Sequence, residues 1–407
     1  MTRTHDLVAG RRAHGVSRRS TTSGAANLDA PPIRASPGHI RVAGVITYLV
    51  GRRNAWTVRA FLDTWGRTVA ERFRVVHYED LGRLDAVSPG VCIFSDIDQL
   101  TPGEVERASE LRRQLVESGR VRPLNDPARS LRRLELLALL HHQGINHFRA
   151  HRVTHLREPL RFPVFLRYED EHWGSMSPLL HTRRELDRAL ASACVLHRRP
   201  RHLVAVEYCD TRGRDGLHRK YSAFLVDGRA VPRDLIFDRA WLQKDIALVT
   251  PETVTEERVY LEANPHEEQL LAVAELAGID YGRIDYGFVD GELQIWEINT
   301  NPVICKTPEE YRADHVGNQA YFAAQMRHTL ELLAAEPEDT TPVRLELDSA
   351  SSTWRQNSVR AVHRLAWDAG AFLGRSSAGR PLVSLLERLV ESLHRPLQPF
   401  VAFRLRA

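Results

Sequence analysis

The sequence predicts an α/β domain followed by an α+β domain, and three patterns indicate this fold class. Apolar strand segments alternate with amphipathic helices between residues 41 and 118, which is typical of a small doubly wound α/β unit. Further along, two pairs of strands are joined by Asp227-Gly228 and Asp290-Gly291, a dipeptide that favours tight hairpins. Residues 305–407 have mostly helical periodicity. A chain of 407 residues has room for two or three domains.

The first ordered domain is predicted over residues 39–125, after a basic arm at 1–38 whose Arg, Ser, Thr and Pro content predicts disorder. Its buried strands follow from runs of apolar residues, and its helices from apolar residues three and four apart. In order, we predict a strand at 41–50, a helix at 56–72, strands at 73–78 and 91–94, a helix at 104–118 and a connector at 121–127.

The α+β domain is predicted over residues 126–335, and a helical extension over 336–407. Ser130 is suited to cap the first helix of this domain and Gly278 to end a later one, because Ser accepts from orphan N–H groups and Gly adopts positive φ. We predict helices at 131–142, 185–194 and 266–276, strands at 162–168 and 203–208, and hairpins of 220–226 with 229–235 and of 283–289 with 292–298.

The extension contains an amphipathic stripe between Leu382 and Leu393. We expect this stripe to pack onto the body of the protein, and a partner helix or a membrane surface is the alternative.

Composition excludes several classes of protein. With 43% hydrophobic and 27% charged residues the chain is ordinary globular protein. No run of 18 apolar residues predicts a membrane span, and the first residues lack the apolar core of a secretory signal. The cysteines are too far apart for a zinc or disulfide framework, so we expect a reducing, cytoplasmic location; they are Cys92, Cys194, Cys209 and Cys305.

The net charge of +4 is unevenly distributed. Residues 1–41 carry +5 and residues 351–407 carry +6, which leaves −7 for the segment between them. Solvated basic ends explain this pattern more simply than a nucleic-acid footprint, so we expect no nucleic-acid partner. A nucleic-acid binder that uses these ends is an alternative, and its binding would depend strongly on salt.

The second hairpin holds the most informative residues of the sequence. Arg283 and Asp285 are two apart on one strand and share a face, as do Glu297 and Asn299 on the next strand. Carboxylate and amide oxygens suit Mg²⁺, which usually takes one or two carboxylates together with substrate phosphates. Arg283 could then bind a phosphate oxygen beside the metal.

This site requires a particular strand register. A strict two-residue turn at Asp290-Gly291 would pair Asp285 with Trp296 and place Glu297 on the opposite face. We therefore predict one extra residue, as a glycine bulge in a three-residue Asp-Gly-Glu loop, which pairs Asp285 with Glu297. The alternative is a half-buried hairpin with scattered charges, but carboxylates left unpaired among its isoleucines would be costly.

The hairpin resembles the metal-binding core of the ATP-grasp superfamily, whose members include carboxylate–amine and carboxylate–thiol ligases. The family pattern R-x-D, then E-x-N followed closely by Pro302, is met by the four residues above. The resemblance implies that Asp285, Glu297 and Asn299 hold two Mg²⁺ ions between ATP phosphates, with Mn²⁺ as an alternative ion. It implies that Arg283 is catalytic and contacts the transferring phosphate.

The resemblance covers roughly residues 42–335 and implies a two-lobed ATP-grasp domain that clasps ATP. Arg167 stands where the family has a phosphate-binding lysine, and Ser175 lies in the region of its flexible phosphate-covering loop. The segment 206–210 resembles the linker that reads adenine and ribose. Only three of 56 basic residues are lysines, and we expect Lys220 to contact phosphate, Lys244 to lie near substrate and Lys306 to meet the acceptor. The expected ATP-binding residues are Arg167, Ser175, Glu207, Tyr208, Cys209, Asp210 and Lys220, the last also catalytic.

By resemblance the chain is an ATP-dependent ligase that joins a carboxylate to an amine through an acyl phosphate and releases ADP. Its partners would be small-molecule or peptide carboxylates and amines, and assembly into a homo-oligomer stays open. One alternative is an ATP-grasp kinase that phosphorylates a small molecule and stops there. Another is a degenerate nucleotide-binding protein without catalysis, which Arg167 and a glycine-poor loop favour.

Overall fold

A computed structural model describes residues 44–156, 159–171, 174–196, 202–242, 248–335 and 339–347. These residues all belong to one compact unit, Val42–Ala407. The predicted basic arm, Lys244 and the amphipathic stripe at 382–393 lie outside the described residues.

The first sheet is parallel, as the alternation of strands and helices predicts. Its strand order is β2-β1-β4-β5, so the carboxyl ends of all four strands meet at one edge. The elements of this region are β1 (Val45–Val50), α1 (Trp56–Leu62), α2 (Arg67–Ala70), β2 (Phe73–His77), β3 (Ala86–Val87), β4 (Gly90–Phe94), α3 (Pro102–Ser118) and β5 (Val121–Leu124).

Two predictions for this region are wrong. The segment predicted as a connector contains β5. Pro123 is tolerated there because β5 is an edge strand, in which a backbone N–H can be absent without loss of a hydrogen bond to a neighbouring strand. The single helix predicted over 56–72 is interrupted between α1 and α2. Gly66 lies against the ring of Phe61 at the break, where a Cβ would come within 2.4 Å of the ring.

A small antiparallel sheet with the order β6-β8-β7 follows. Ser130 does not cap the next helix, because its Oγ donates to the carbonyl of Gly278 at 2.7 Å. Arg132 is the N-cap instead, and its backbone N–H donates to the carboxylate of Glu135 at 3.1 Å. The elements are α4 (Arg133–His142), β6 (Ala150–Arg152), β7 (Val164–Tyr168), α5 (Arg183–Leu196) and β8 (Leu203–Glu207).

The third sheet is antiparallel with the order β10-β9-β11-β12, and both predicted hairpins form in it. Gly278 ends α7 with a φ of +62°, as predicted. The elements are β9 (His218–Val226), β10 (Arg229–Asp238), α6 (Pro251–Ala263), α7 (Glu267–Ala277), β11 (Tyr281–Val289), β12 (Glu292–Asn299), α8 (Val316–Leu333) and β13 (Val343–Arg344).

After α8 the chain returns to the first sheet region. β13 pairs with β3, although a helical extension was predicted there. Val343 is 4% exposed and lies in a core cluster with Val87 and the apolar side of α3. Gln114 on α3 exchanges two hydrogen bonds of 2.9 Å with the backbone of Glu346. We call residues 341–347 the returning segment.

Asn125, directly after β5, joins the first and third sheets. It is fully buried with a φ of +65°, and its Nδ2 donates to the carbonyls of Phe94 and Tyr281 at 2.9 Å each. Its Oδ1 accepts from the backbone N–H groups of Asp280 and Tyr281 at 2.8 and 2.9 Å. Every hydrogen-bonding position of this carboxamide is therefore used between β4 and β11.

We expect Asn125→Ala to lower the free energy of unfolding by about 3 kcal/mol, because buried backbone groups lose their partners and Ala is strained at positive φ. Asn125→Gly loses the same hydrogen bonds without that strain, so we expect it to be about 1 kcal/mol milder. Urea denaturation measures both values. Equal stability of Asn125→Ala and wild type would contradict the assigned role of this carboxamide.

Candidate active site

The register of the β11–β12 hairpin brings the predicted metal ligands together. Asp285 lies opposite Glu297, and Arg283 lies opposite Asn299. The bulge that this requires is in the middle of β12, where the register shifts and Trp296 is the extra residue. The predicted pairing is confirmed, and the predicted position of the bulge is wrong.

The turn itself has two residues, with Val289 opposite Glu292. Asp290 and Gly291 have φ values of +52° and +85°, and positive φ at both positions is the conformation of a type I′ turn, which matches the twist of the strands. The turn therefore needs no extra residue. Trp296 is accommodated further along, where its ring packs 5.3 Å from that of Phe148.

A row of polar side chains crosses all four strands of the third sheet. Asp285 lies opposite Ser222 on β9, and Ser222 lies opposite Asp234 on β10. Residues directly opposite one another in antiparallel strands share a face, with Cβ atoms about 4.5–5.5 Å apart. We call Asp234, Ser222, Asp285 and Glu297 the polar row. It presents three carboxylates and a hydroxyl on one face.

Cations from two strands meet at Asp285. Arg283 donates through Nε to Oδ1 at 2.7 Å and through Nη2 to Oδ2 at 3.2 Å. Lys220 Nζ lies 3.4 Å from the same Oδ2. Asp285 is only 4% exposed, so these contacts stabilise its buried charge. The structure thus brings both predicted catalytic residues to a predicted metal ligand.

Glu297 is held by two guanidinium groups. Arg133 and Arg167 both donate to its Oε2, Arg167 at 3.1 Å. Burial and the nearby charge of Arg133 lower the pKa of Arg167 to about 10, against the opposing effect of Glu297. The Nε of Arg167 is buried and has no hydrogen-bond acceptor among the described residues. A buried donor beside this carboxylate is suited to an oxyanion ligand.

Sequence reasoning missed Arg133 and Asp234. Arg133 starts α4, and a cation is unfavourable at a helix N-terminus, which is the signal that it needs a partner elsewhere. Asp234 follows a bulge in β10 at Arg233, so its face could not be read from alternation. Burial alone would raise the pKa of Asp234, but the charges of Arg233, Arg283 and Lys220 outweigh it and hold that pKa below its usual value.

The remaining predicted nucleotide-binding residues lie on β8 and in the loops that follow β7 and β8. Glu207 is buried, and its carboxylate accepts hydrogen bonds from the backbone N–H groups of Arg149 and Arg161 at 3.1 and 3.0 Å. Ser175 Oγ donates to the carbonyl of Ser177 at 2.6 Å and so belongs to a closed turn. Neither side chain contacts the polar row in the hydrogen bonds that the structure describes.

Tyr208, Cys209 and Asp210 follow β8 directly. Tyr208 donates to Asp210 at 3.1 Å, and hydrogen bonds from Arg212 lower the pKa of Asp210 to about 2. Burial raises the pKa of Cys209 to about 11, so its thiol is protonated at neutral pH. None of the three contacts the polar row in the hydrogen bonds that the structure describes, although Cys209 Sγ lies 3.8 Å from Gln294 Oε1 on β12.

An aromatic cluster that the sequence did not predict lies beside this segment. The ring of Trp241 is 5.0 Å from Phe165 and 5.9 Å from Tyr208. Phe165 and Arg167 are two apart on β7 and share a face. Because Arg167 contacts Glu297, this face of β7 connects the aromatic cluster with the polar row.

The donor set fits Mg²⁺ only in combination with ligand oxygens. No group of three or more His, Cys, Asp or Glu side chains within the described ranges could hold a metal ion by itself. Two carboxylates and the carboxamide of Asn299 are what Mg²⁺ needs when phosphates complete its coordination. His147 and His151 lie near acids, with His147 Nε2 2.6 Å from Glu292 and His151 Nε2 3.7 Å from Glu207.

None of the helices in the part of the chain that the structure describes combines the length and the apolar character needed to cross a bilayer. No protein-family model matches the chain, and no curated protein is similar to it in sequence.

Solved structures, in contrast, do match this chain. The chain is similar in structure to ATP-grasp ligases. A D-alanine–D-alanine ligase from Bacillus anthracis complexed with ATP matches with a TM-score of 0.40 and 15% identity, over 72% of this chain and 99% of its own. The ATP-grasp ligase PsnB complexed with a minimal precursor matches with a TM-score of 0.39 and 11% identity, over 70% and 100%.

An L-amino acid ligase from Bacillus licheniformis matches with a TM-score of 0.35 and 12% identity, over 74% of this chain and 76% of its own.

Proposed function

We propose that this protein is an ATP-dependent ligase of the ATP-grasp type, which joins a carboxylate to an amine and releases ADP and phosphate. The observation that carries the proposal is the bulge at Trp296, which places Asp285 opposite Glu297 and Arg283 opposite Asn299. In a hairpin that bound no ligand this register would be unfavourable, because the register concentrates buried charge on one face. The match of these residues to the family pattern supports the same function.

Asp285, Glu297 and Asn299 are the residues that would hold Mg²⁺ against the phosphates of ATP. The bound ion would neutralise charge on the transferred phosphoryl group. Arg283 and Lys220 both reach Asp285, so an oxyanion beside that carboxylate would lie within reach of both cations. Arg167, whose buried Nε has no acceptor among the described residues, would be a third donor to phosphate.

These residues would position the phosphates and stabilise the charge on the transferred phosphoryl group. The reaction needs no covalent nucleophile from the protein. A carboxylate oxygen of the substrate attacks the γ-phosphorus, and the bond to the β-phosphate oxygen breaks to release ADP. The amine then attacks the carbonyl carbon of the acyl phosphate. The bond from that carbon to the phosphate oxygen breaks, phosphate leaves with the electron pair, and the nitrogen loses a proton to give the amide.

The aromatic cluster supplies a place for the adenine base. Phe165, Tyr208 and Trp241 offer flat apolar surface on the same face of β7 as Arg167. Aromatic rings stack favourably on bases. This arrangement supports a nucleotide that extends from the cluster to the polar row.

A nucleotide-binding protein without catalysis is the second candidate. The observation that favours it is the contact of Glu297 Oε2 with both Arg133 and Arg167, which commits a metal-binding oxygen to guanidinium groups. Such a protein would bind ADP equally well with and without Mg²⁺, whereas the ligase would bind ADP more tightly in the presence of the ion.

We expect the wild type to bind ADP in the presence of Mg²⁺, and Glu297→Gln to weaken that binding at least about tenfold, since supporting residues of metal sites alone account for 10–100-fold. Isothermal titration calorimetry measures both. Glu292→Gln is the matched control, because it makes the same change on the same strand at a side chain that is 68% exposed. We expect the control to bind like wild type.

Absence of Mg²⁺-dependent binding by a folded wild type would contradict the ligase proposal. Binding that Mg²⁺ enhances would justify a screen of carboxylates with ATP and hydroxylamine, which traps an acyl phosphate as a hydroxamate. A hydroxamate distinguishes the ligase from a kinase that phosphorylates a hydroxyl group.

A further inference from the structure

Asn301, just after β12, connects the candidate metal site with the first sheet. Its backbone N–H donates to Asn299 Oδ1 at 2.8 Å. Its own Oδ1 accepts from the hydroxyl groups of Tyr48 on β1 and Thr57 on α1, at 3.0 and 2.7 Å. Its Nδ2 donates to the carbonyl of Asn54 at 3.3 Å. Asn301 is only 7% exposed, so the residue is fixed by groups of the first sheet region.

The same network extends to Asp96 in the loop after β4. Asn54 Nδ2 donates to the Asp96 carboxylate at 2.8 Å, and the backbone N–H of Gly51 does so at 3.2 Å. Asp96 has a φ of +58°, a conformation that surrounding structure must maintain in a residue other than glycine. A Cβ on Gly51 would come within 2.7 Å of Asp96 Oδ2, so the two loops are tightly apposed.

A second contact fixes the same segment. Thr300 Oγ1 accepts from the backbone N–H of Ile97 at 3.0 Å, and Thr300 is 3% exposed. Thr300 and Asn301, the two residues that follow Asn299, are thus both held by groups of the first sheet region.

The hydrogen bond to Asn299 decides which end of its carboxamide is the oxygen. The Asn301 N–H can only donate, so the atom that it meets must be Oδ1, and the NH₂ group must point the other way. A metal ion accepts the oxygen but not the NH₂ group as a ligand. An Asn299 side chain free to rotate would present the correct end only part of the time, which weakens binding.

We infer that Asn301 is a positioning residue for Asn299, and that the first sheet region sets the Mg²⁺ affinity of the site through the hydroxyl groups of Tyr48 and Thr57. This inference rests on the proposed function. It assigns part of the metal site to elements that lie more than 240 residues earlier in the chain, since Thr57 and Asn301 are 244 residues apart.

The test measures how much Mg²⁺ half-saturates ADP binding, by calorimetry at a series of Mg²⁺ concentrations. Asn301→Ala is expected to raise that concentration about tenfold, which is the lower end of the effect of groups that orient metal ligands. Thr57→Val removes one donor without changing side-chain shape, and we expect a smaller rise in the same direction. Thr57→Ser keeps the hydroxyl and is expected to behave like wild type.

Two further readouts separate positioning from stability. Thermal unfolding without ligand and ADP binding without Mg²⁺ would both be affected by a general loss of structure. An unchanged Mg²⁺ requirement in Asn301→Ala and in Thr57→Val would overturn the inference, even where both variants melt earlier. A wild type whose ADP binding is independent of Mg²⁺ would instead contradict the proposed function.

Discussion

Replacing Arg133 with methionine is expected to lower the free energy of unfolding by about 3–5 kcal/mol, because it leaves the carboxylate of Glu297 with one cation fewer in a buried site. The Arg133 side chain is 4% exposed. Besides Glu297, its guanidinium donates through Nη1 to the carbonyls of Tyr168, Glu169 and Glu171 at 2.7–3.2 Å. Methionine has a similar length but cannot donate to any of these groups.

Urea denaturation followed by circular dichroism measures this change. Arg113→Met is the matched control, because Arg113 pairs with Glu110 and Glu117 on the surface of α3 and its side chain is 55% exposed. Exposed ion pairs contribute at most about 1 kcal/mol, so we expect the control to lose no more than that. Arg133→Met as stable as Arg113→Met would show that the buried pair does not support the fold.

The second large effect is expected for Asp285→Asn, which should weaken Mg²⁺-dependent ADP binding about 100-fold or more. Groups that merely support a metal ligand account for about 10–100-fold, and we propose Asp285 as a ligand itself. The substitution also removes the negative charge that Arg283 and Lys220 both contact. Neither side chain is then held where it could bind a phosphate. Isothermal titration calorimetry with Mg²⁺ and ADP measures the loss.

Asp290→Asn makes the same chemical change at the turn of the same hairpin. Asn tolerates the positive φ of +52° at this position, so we expect a folded control with wild-type affinity. Wild-type affinity in both Asp285→Asn and the control would show that Asp285 is not a metal ligand. An equal loss of affinity in both variants would indicate that the substitutions disturb the whole hairpin, and not a metal ligand in particular.

The pairing of Asp285 with Glu297 could be predicted from the sequence because a metal site needs both carboxylates on one face, and because carboxylates left unpaired among isoleucines would be costly. The position of the bulge could not. It depends on Trp296 packing against Phe148, a contact between residues 148 apart that no local pattern encodes. The turn at Asp290-Gly291 has the geometry that its own residues favour, and the extra residue is Trp296 in the middle of β12.

Contacts between residues that are far apart in sequence explain the other differences between the predicted and the observed structure. Ser130 has the right chemistry for a helix cap, but its hydroxyl bonds to Gly278, which lies 148 residues away in sequence. Arg133 sits in a leucine-rich helix, and its partner Glu297 is 164 residues away. Elements with strong local periodicity, such as α3 and the two hairpins, were predicted because their signals are contained within a few turns or strands.

The returning segment has a consequence for the synthesis of the chain. Its strand β13 pairs Val343 with Val87, so the core beneath β3 is closed only by residues that are made 256 positions later. At about 5–20 residues per second, this interval lasts roughly 13–50 seconds. Throughout that time the nascent first domain exposes the apolar surface that Val343 later covers. The first domain thus emerges from the ribosome early but is completed late, and a chaperone would meet the nascent chain in the unfinished form.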